Sequence, residues 1–143
     1  MKAKTWVSEF LRQARVAHLA TSWDGSPHVI PICFAFDGKT LYSSLDEKPK
    51  RANPRNLRRV RNIIANPRVS MIVDLYSENW QELRYVIVQG TAEIVYKGKE
   101  HEYAIGLLRE KYPQYRHMKL EGRPVIRLEP ERLIGWAASS LTS

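Results

Sequence analysis

Apolar residues recur every three to four positions at the start of the chain. Trp6, Val7, Phe10, Leu11 and Ala14 fall on one face of a helix over residues 5–14. The pattern then turns strand-like. The runs VAHLATSW (16–23), SPHVIPICFAF (26–36) and TLYSSL (40–45) are separated by Asp24-Gly25 and Asp37-Gly38. Asp-Gly between apolar runs favours a tight hairpin, because both turn positions tolerate positive φ. Helical spacing returns after Asn53-Pro54, which reads as an N-cap with proline in the first helical position. Leu57, Val60, Ile63 and Ile64 make its apolar stripe, and Asn66-Pro67 ends it. Two long strands follow, RVSMIVDLYS (68–77) and LRYVIVQGTAEIVY (83–96), with a bulge expected at Gly90. A third helix over about 99–112 carries Ala104, Ile105, Leu107, Leu108 and Tyr112. RPVIRLEP and RLIGWA close the chain as one long or two short strands.

Strands joined by tight turns, with helices inserted between groups of strands, predict a mainly β protein. The expected fold is an antiparallel barrel with peripheral helices. The length of 143 residues suits a single domain over 1–143 with one core. No glycine-rich phosphate loop of the dinucleotide-binding or P-loop kind is present. No apolar run approaches the ~18 residues of a membrane span, and Ser8, Glu9, Arg12 and Gln13 interrupt the first apolar segment, unlike a signal peptide. One cysteine, Cys33, excludes an internal disulfide, so a cytoplasmic protein is expected.

Charge changes this picture in one place. The net charge is +8, from 23 basic and 15 acidic residues. Eight of the basic residues lie in KPKRANPRNLRRVRNIIANPR (48–68), which has no acid; the rest of the chain balances at 15 against 15. Cations at a helix N-terminus oppose the helix dipole. Lys48, Lys50, Arg51 and Arg55 crowd that end, with Arg58 and Arg59 one turn in as an exposed pair. An anionic ligand there would reverse the sign of the effect.

Reactive groups are few. Cys33 sits between Ile32 and Phe34 and reads as a buried, inert thiol. His18 and His28 fall on neighbouring strands, whereas His101 and His117 read as surface residues. No histidine spacing matches a metal motif, so neither a metal nor a catalytic side chain is assigned. A bound cofactor would then carry any chemistry. Nucleic acid is the rival ligand, but the aromatics are not interleaved with the cations and no RNA- or DNA-binding signature appears.

The order of these elements resembles the pyridoxamine-phosphate-oxidase-like split β-barrel flavoproteins. The motifs that carry the resemblance are ATSWDGSPHVIPICFAFDGKTLYSS, the basic connector, NPRVSMIVD and QGTAEIV, over roughly residues 5–137. Within that superfamily, LDEKPKR, LRRVRNIIANPRVSMIVDLY and the closing GWA look most like the coenzyme F420-dependent branch. The resemblance implies a homodimer with the cofactor in a cleft between two barrels and a small-molecule substrate. It places the ring along His28, Val29, Ile30, Pro31 and Ile32, and the phosphate near Tyr42, Ser43, Ser44, Arg58 and Arg59. Lys48, Lys50 and Arg51 would reach a phosphate or an acidic tail. Tyr85 would face the partner subunit's cofactor. Trp80, Tyr85 and Trp136 are candidates for the substrate side, with core or dimer packing as the alternative for each. The arginine signature of true pyridoxamine-phosphate oxidases is missing after Trp136, which argues against that substrate. Eight cations in one segment match the phosphodiester and oligoglutamate tail of F420 better than the single phosphate of FMN. FMN is the alternative cofactor. A cofactor carrier, a haem-binding relative or a nucleic-acid binder is the non-enzymatic alternative.

Overall fold

The computed structural model describes residues 4–45 and 57–139. Seven strands form one antiparallel sheet, ordered β2-β1-β5-β6-β7-β4-β3. They are β1 (Ala17–Trp23), β2 (Ser26–Ile32), β3 (Ala35–Phe36), β4 (Leu41–Ser44), β5 (Arg68–Leu75), β6 (Arg84–Val95) and β7 (Val125–Ala137). Three helices flank them: α1 (Thr5–Gln13), α2 (Arg58–Ala65) and α3 (Lys99–Lys111). The expected mainly β, antiparallel split barrel with peripheral helices is the fold observed.

Asp24 and Gly25 both have positive φ, 56° and 75°, as the β1–β2 hairpin requires. At the second Asp-Gly turn the Asp37 carboxylate accepts the backbone N–H groups of Lys39 and Thr40, at 2.9 and 2.8 Å. The single strand expected over 26–36 is divided in two. β2 pairs with β1 and β3 pairs with β4. The intervening backbone is claimed by side chains. The Cys33 carbonyl accepts from Ser43 Oγ at 2.8 Å, and the Phe34 carbonyl accepts from Lys111 Nζ at 2.8 Å and Tyr112 Oη at 2.9 Å. With those groups engaged, the ladder breaks and the chain crosses from one part of the sheet to the other.

Burial alternates along β1, with Ala17, Leu19 and Thr21 inside. The main core joins these to Phe34, Val60, Met71, Val86 and Val88, and α1 closes it with Val7 and Leu11. A second cluster packs α3, through Ala104, Ile105 and Leu108, against Ala35, Tyr42 and Val125. Strand β7 is one long strand. It pairs with β4 through Leu128 and with β6 along its whole length, with a register shift at Gln89/Gly90. A Cβ on Gly90 would overlap the Glu129 carbonyl oxygen, so only glycine admits this approach.

The basic helix differs from expectation in two respects. Leu57 is extended (φ −62°, ψ 144°), so α2 begins at Arg58 and not near Pro54. Its buried face is Val60, Asn62 and Ile63, while Ile64 is 64% exposed and does not belong to the apolar stripe. Asn62 takes a core position because its amide donates to the buried Thr21 hydroxyl at 3.0 Å, which satisfies both groups. Asn66 ends the helix, and its amide donates to the Ser22 carbonyl at 3.0 Å. The cap expected at Asn53-Pro54 lies outside the described residues.

Candidate functional site

Strand β2 is the end strand of the sheet and pairs on one side only, with β1. Its other edge therefore offers backbone hydrogen-bonding groups that no neighbouring strand uses. Along it, His28 and Ile30 are half-buried and Ile32 is buried, all on the inner face; Val29 (62% exposed) and Pro31 point outward. His18 and His28 do not face each other, because the register pairs His18 with Pro31 and His28 with Thr21. No cluster of metal-binding side chains occurs among the described residues. His101 is 4% exposed, not a surface residue, and its Nε2 lies 2.6 Å from the Arg123 carbonyl. Cys33 is a half-buried free thiol.

The two serines of β4 have different environments. Ser43 already donates to Cys33. Ser44, 6% exposed, holds a buried hydroxyl with no hydrogen-bond partner. It lies on the same side of the strand as Tyr42, the side that packs on α3. Tyr42 donates to Glu100 at 2.7 Å, and burial together with that carboxylate pushes its phenol well above the usual range. Arg127 completes the cluster by an ion pair to Glu100 at 2.6 Å.

At the start of α2, Arg58 is exposed, whereas Arg59 is half-buried, so the two do not form the exposed pair expected from spacing. No acid sits in the first turn. Four arginines occupy residues 57–68, and one of them, Arg68, pairs with Glu131 at 3.6 Å, with both side chains well exposed. Such a pair contributes little. Lys48, Lys50 and Arg51 lie outside the described residues.

The outer face of the sheet has a composition of its own. The register sets Pro31, His18, Ile72, Ile87 and Ile134 on it, side by side across five strands, with Val29, Ala20, Ser70, Gln89 and Arg132 as the next row. Tyr85 and Trp136 extend the row at one corner. They are register partners, and their rings stack with centroids 5.6 Å apart at 24°. Trp136 is 45% exposed. Trp80 stands on the short turn Trp80–Glu82, at 68% exposure. Sequence reasoning missed the polar frame of this corner, although its signal, DLYSENWQE (74–82), alternates acids with aromatics.

This architecture has known counterparts. The model of the pyridoxamine 5'-phosphate oxidase family matches residues 4–137. The chain belongs to that family. No curated protein matches it. Among solved structures it is similar to a conserved hypothetical protein from Mycobacterium tuberculosis, at 21% identity and TM-score 0.77, covering 96% of this chain and 86% of that one. A FAD-binding protein from Mesorhizobium loti is similar at 23% identity and TM-score 0.70, with 93% of each chain covered. An F420 reductase is similar at 27% identity and TM-score 0.63, covering 89% of this chain and 94% of that one. The fold is thus that of the flavin-binding oxidoreductases of this family. No helix among the described residues is long and apolar enough to cross a membrane.

The described residues fit such a cofactor. Flavins and deazaflavins share a pyrimidinedione edge with donors and acceptors, which suits the free edge of β2. Val29 and Pro31 offer apolar contact to a ring, and Arg58 with the first N–H groups of α2 offers an anion contact.

Proposed function

We propose that the protein is a coenzyme F420-dependent oxidoreductase that acts as a homodimer on a small unsaturated organic substrate. The observation that carries the reading is the segregation of charge: eight cations without an acid in residues 48–68, in a family whose fold binds flavins. The similarity to an F420 reductase supports it. When bound, the deazaflavin supplies hydride transfer. The edge of β2 (His28 to Ile32) orients the ring, and Arg58 and Arg59 hold the anionic tail with Lys48, Lys50 and Arg51. The unpartnered Ser44 hydroxyl is a further donor at the end of β4. The outer face around Ile72, Ile87 and Ile134 is the dimer interface, since a contiguous apolar patch of that kind marks an association surface. That leaves Tyr85, Trp80 and Trp136 at its margin, facing the substrate side.

Calorimetric titration with F420 and with FMN tests the cofactor. Micromolar or tighter binding of F420, with FMN at least tenfold weaker, is expected. Co-purification of FMN as a yellow protein would replace F420 with FMN. Sedimentation equilibrium tests the dimer, and a monomer at micromolar concentration would exclude it.

A further inference from the structure

The corner where β5 ends, β6 begins and β7 ends gathers exposed aromatic rings: Tyr76 at 64%, Trp80 at 68% and Trp136 at 45%, the last stacked on Tyr85. The turn between β5 and β6 is tied down. The Leu83 carbonyl accepts the Ala138 N–H at 2.8 Å, and the Gln81 carbonyl accepts from Ser139 Oγ at 2.8 Å. Ser77 Oγ donates to Glu82 at 2.6 Å, and Asn79 Oδ1 accepts the Gln81 N–H at 3.2 Å. The rim is acidic, for Asp74, Glu78 and Glu82 are all exposed. The one cation within residues 74–84, Arg84, alternates to the inner face with Val86, where its guanidinium lies over the Phe10 ring at 5.7 Å.

We propose that this corner is the substrate subsite, and that it selects a planar aromatic substrate that is neutral or positively charged and rejects an anionic one. Stacked rings present their electron-rich faces to a flat ligand, which attracts a cation and repels an anion. Three exposed carboxylates within residues 74–84, where the one cation turns inward, add to that sign preference. The assignment as a substrate subsite rests on the oxidoreductase reading. The charge preference of the corner does not.

The test is calorimetry on the full chain with three matched probes: (1-naphthylmethyl)trimethylammonium, 1-naphthalenemethanol and 1-naphthalenesulfonate. The cation is expected to bind at least tenfold tighter than the sulfonate, with the alcohol between them. Trp80→Ala and Trp136→Ala should each weaken all three, and Trp136→Phe should restore most of the affinity. The triple variant Asp74→Asn, Glu78→Gln, Glu82→Gln should reduce the cation's advantage to less than threefold and leave the alcohol unchanged. Equal binding of sulfonate and ammonium, or unchanged binding in both tryptophan-to-alanine variants, would overturn the subsite. Failure of F420 and FMN to bind, with the naphthyl series intact, would overturn the oxidoreductase reading alone.

Discussion

The start of α2 and the β5–β6 turn are opposites. Residues 57–68 hold four arginines and no acid, while residues 74–84 hold three acids and one arginine that turns inward. One is a short helix whose buried face includes an asparagine; the other is a turn carrying exposed aromatics. Strand β5 separates them, with Arg68 at one end and Leu75 at the other, roughly 23 Å apart at the usual rise per residue. Neither charge helps the local structure: arginines in the first turn of a helix oppose its dipole, and three carboxylates around one turn repel each other. Two costs of opposite sign, one in the helix before β5 and one in the turn after it, point to ligand groups of opposite preference. A cofactor with an anionic tail and a substrate without negative charge would use both ends.

The largest effect should come from what holds the two ends in one frame. Gly90→Val places side-chain atoms against the Glu129 carbonyl in the β6–β7 bulge and should cost about 3–5 kcal/mol, read as a lower urea midpoint. Both ends should lose their ligands together. Asn62→Ala should cost about 1–3 kcal/mol, because it strands the Thr21 hydroxyl in the core. It acts on the basic end, where it loosens α2 from β1, so F420 affinity should fall further than naphthyl affinity. The double variant Thr21→Val, Asn62→Leu should recover part of the loss.

The double variant Arg58→Ala, Arg59→Ala addresses the basic end alone. We expect at least tenfold weaker F420 binding, about 1.4 kcal/mol, with unchanged naphthyl binding. Equal losses at both ends would dissolve the contrast.

The smallest effect concerns neither end and serves as the reference. Lys111 donates to Ala14 and Phe34, and burial, with Arg15 nearby, depresses its ammonium to about 8 from the ordinary 10.5. The unfolded chain therefore holds a proton that the folded chain releases between those values. Stability contributed here rises with pH across that window. Between pH 8 and 9.5 the urea midpoint of the native protein should rise relative to Lys111→Met. Tyr112, pushed up to about 12 by burial, changes sign only above that range.

Much of the fold was legible because local signals agreed. The Asp-Gly turns, the Gly90 bulge and the face of α1 each follow from residues that tolerate few alternatives. The break after Ile32 was not legible: it depends on Lys111 and Tyr112, nearly eighty positions away, which take the Phe34 carbonyl out of the ladder. Asn62 shows the same limit, because polarity alone assigns it to solvent and only Thr21 on β1 makes it a core residue. At the candidate site, the basic segment could be read from the chain, whereas the family resemblance alone pointed to His28–Ile32, and their place on a free edge needed the sheet order. The separate roles of Ser43 and Ser44 could not, since both serines look alike until Cys33 claims one. The acidic aromatic corner needed the pairing of Tyr85 with Trp136 across fifty residues.

Strand β7 also sets an order of events. Strand β4 is sandwiched between β3 and β7, and Leu41 to Leu45 are all buried. Its β3 partner is adjacent in the chain, but its other partner is made about eighty residues later. Until Val125–Leu128 leave the ribosome, one edge of β4 stays open and the second core, which needs Val125, stays incomplete. Contacts of such long sequence separation also close slowly. The nascent protein thus leaves one strand edge open until Val125–Leu128 are made, and Ser43 and Ser44, in LYSSL, keep that edge less adhesive than an unbroken apolar strand would be.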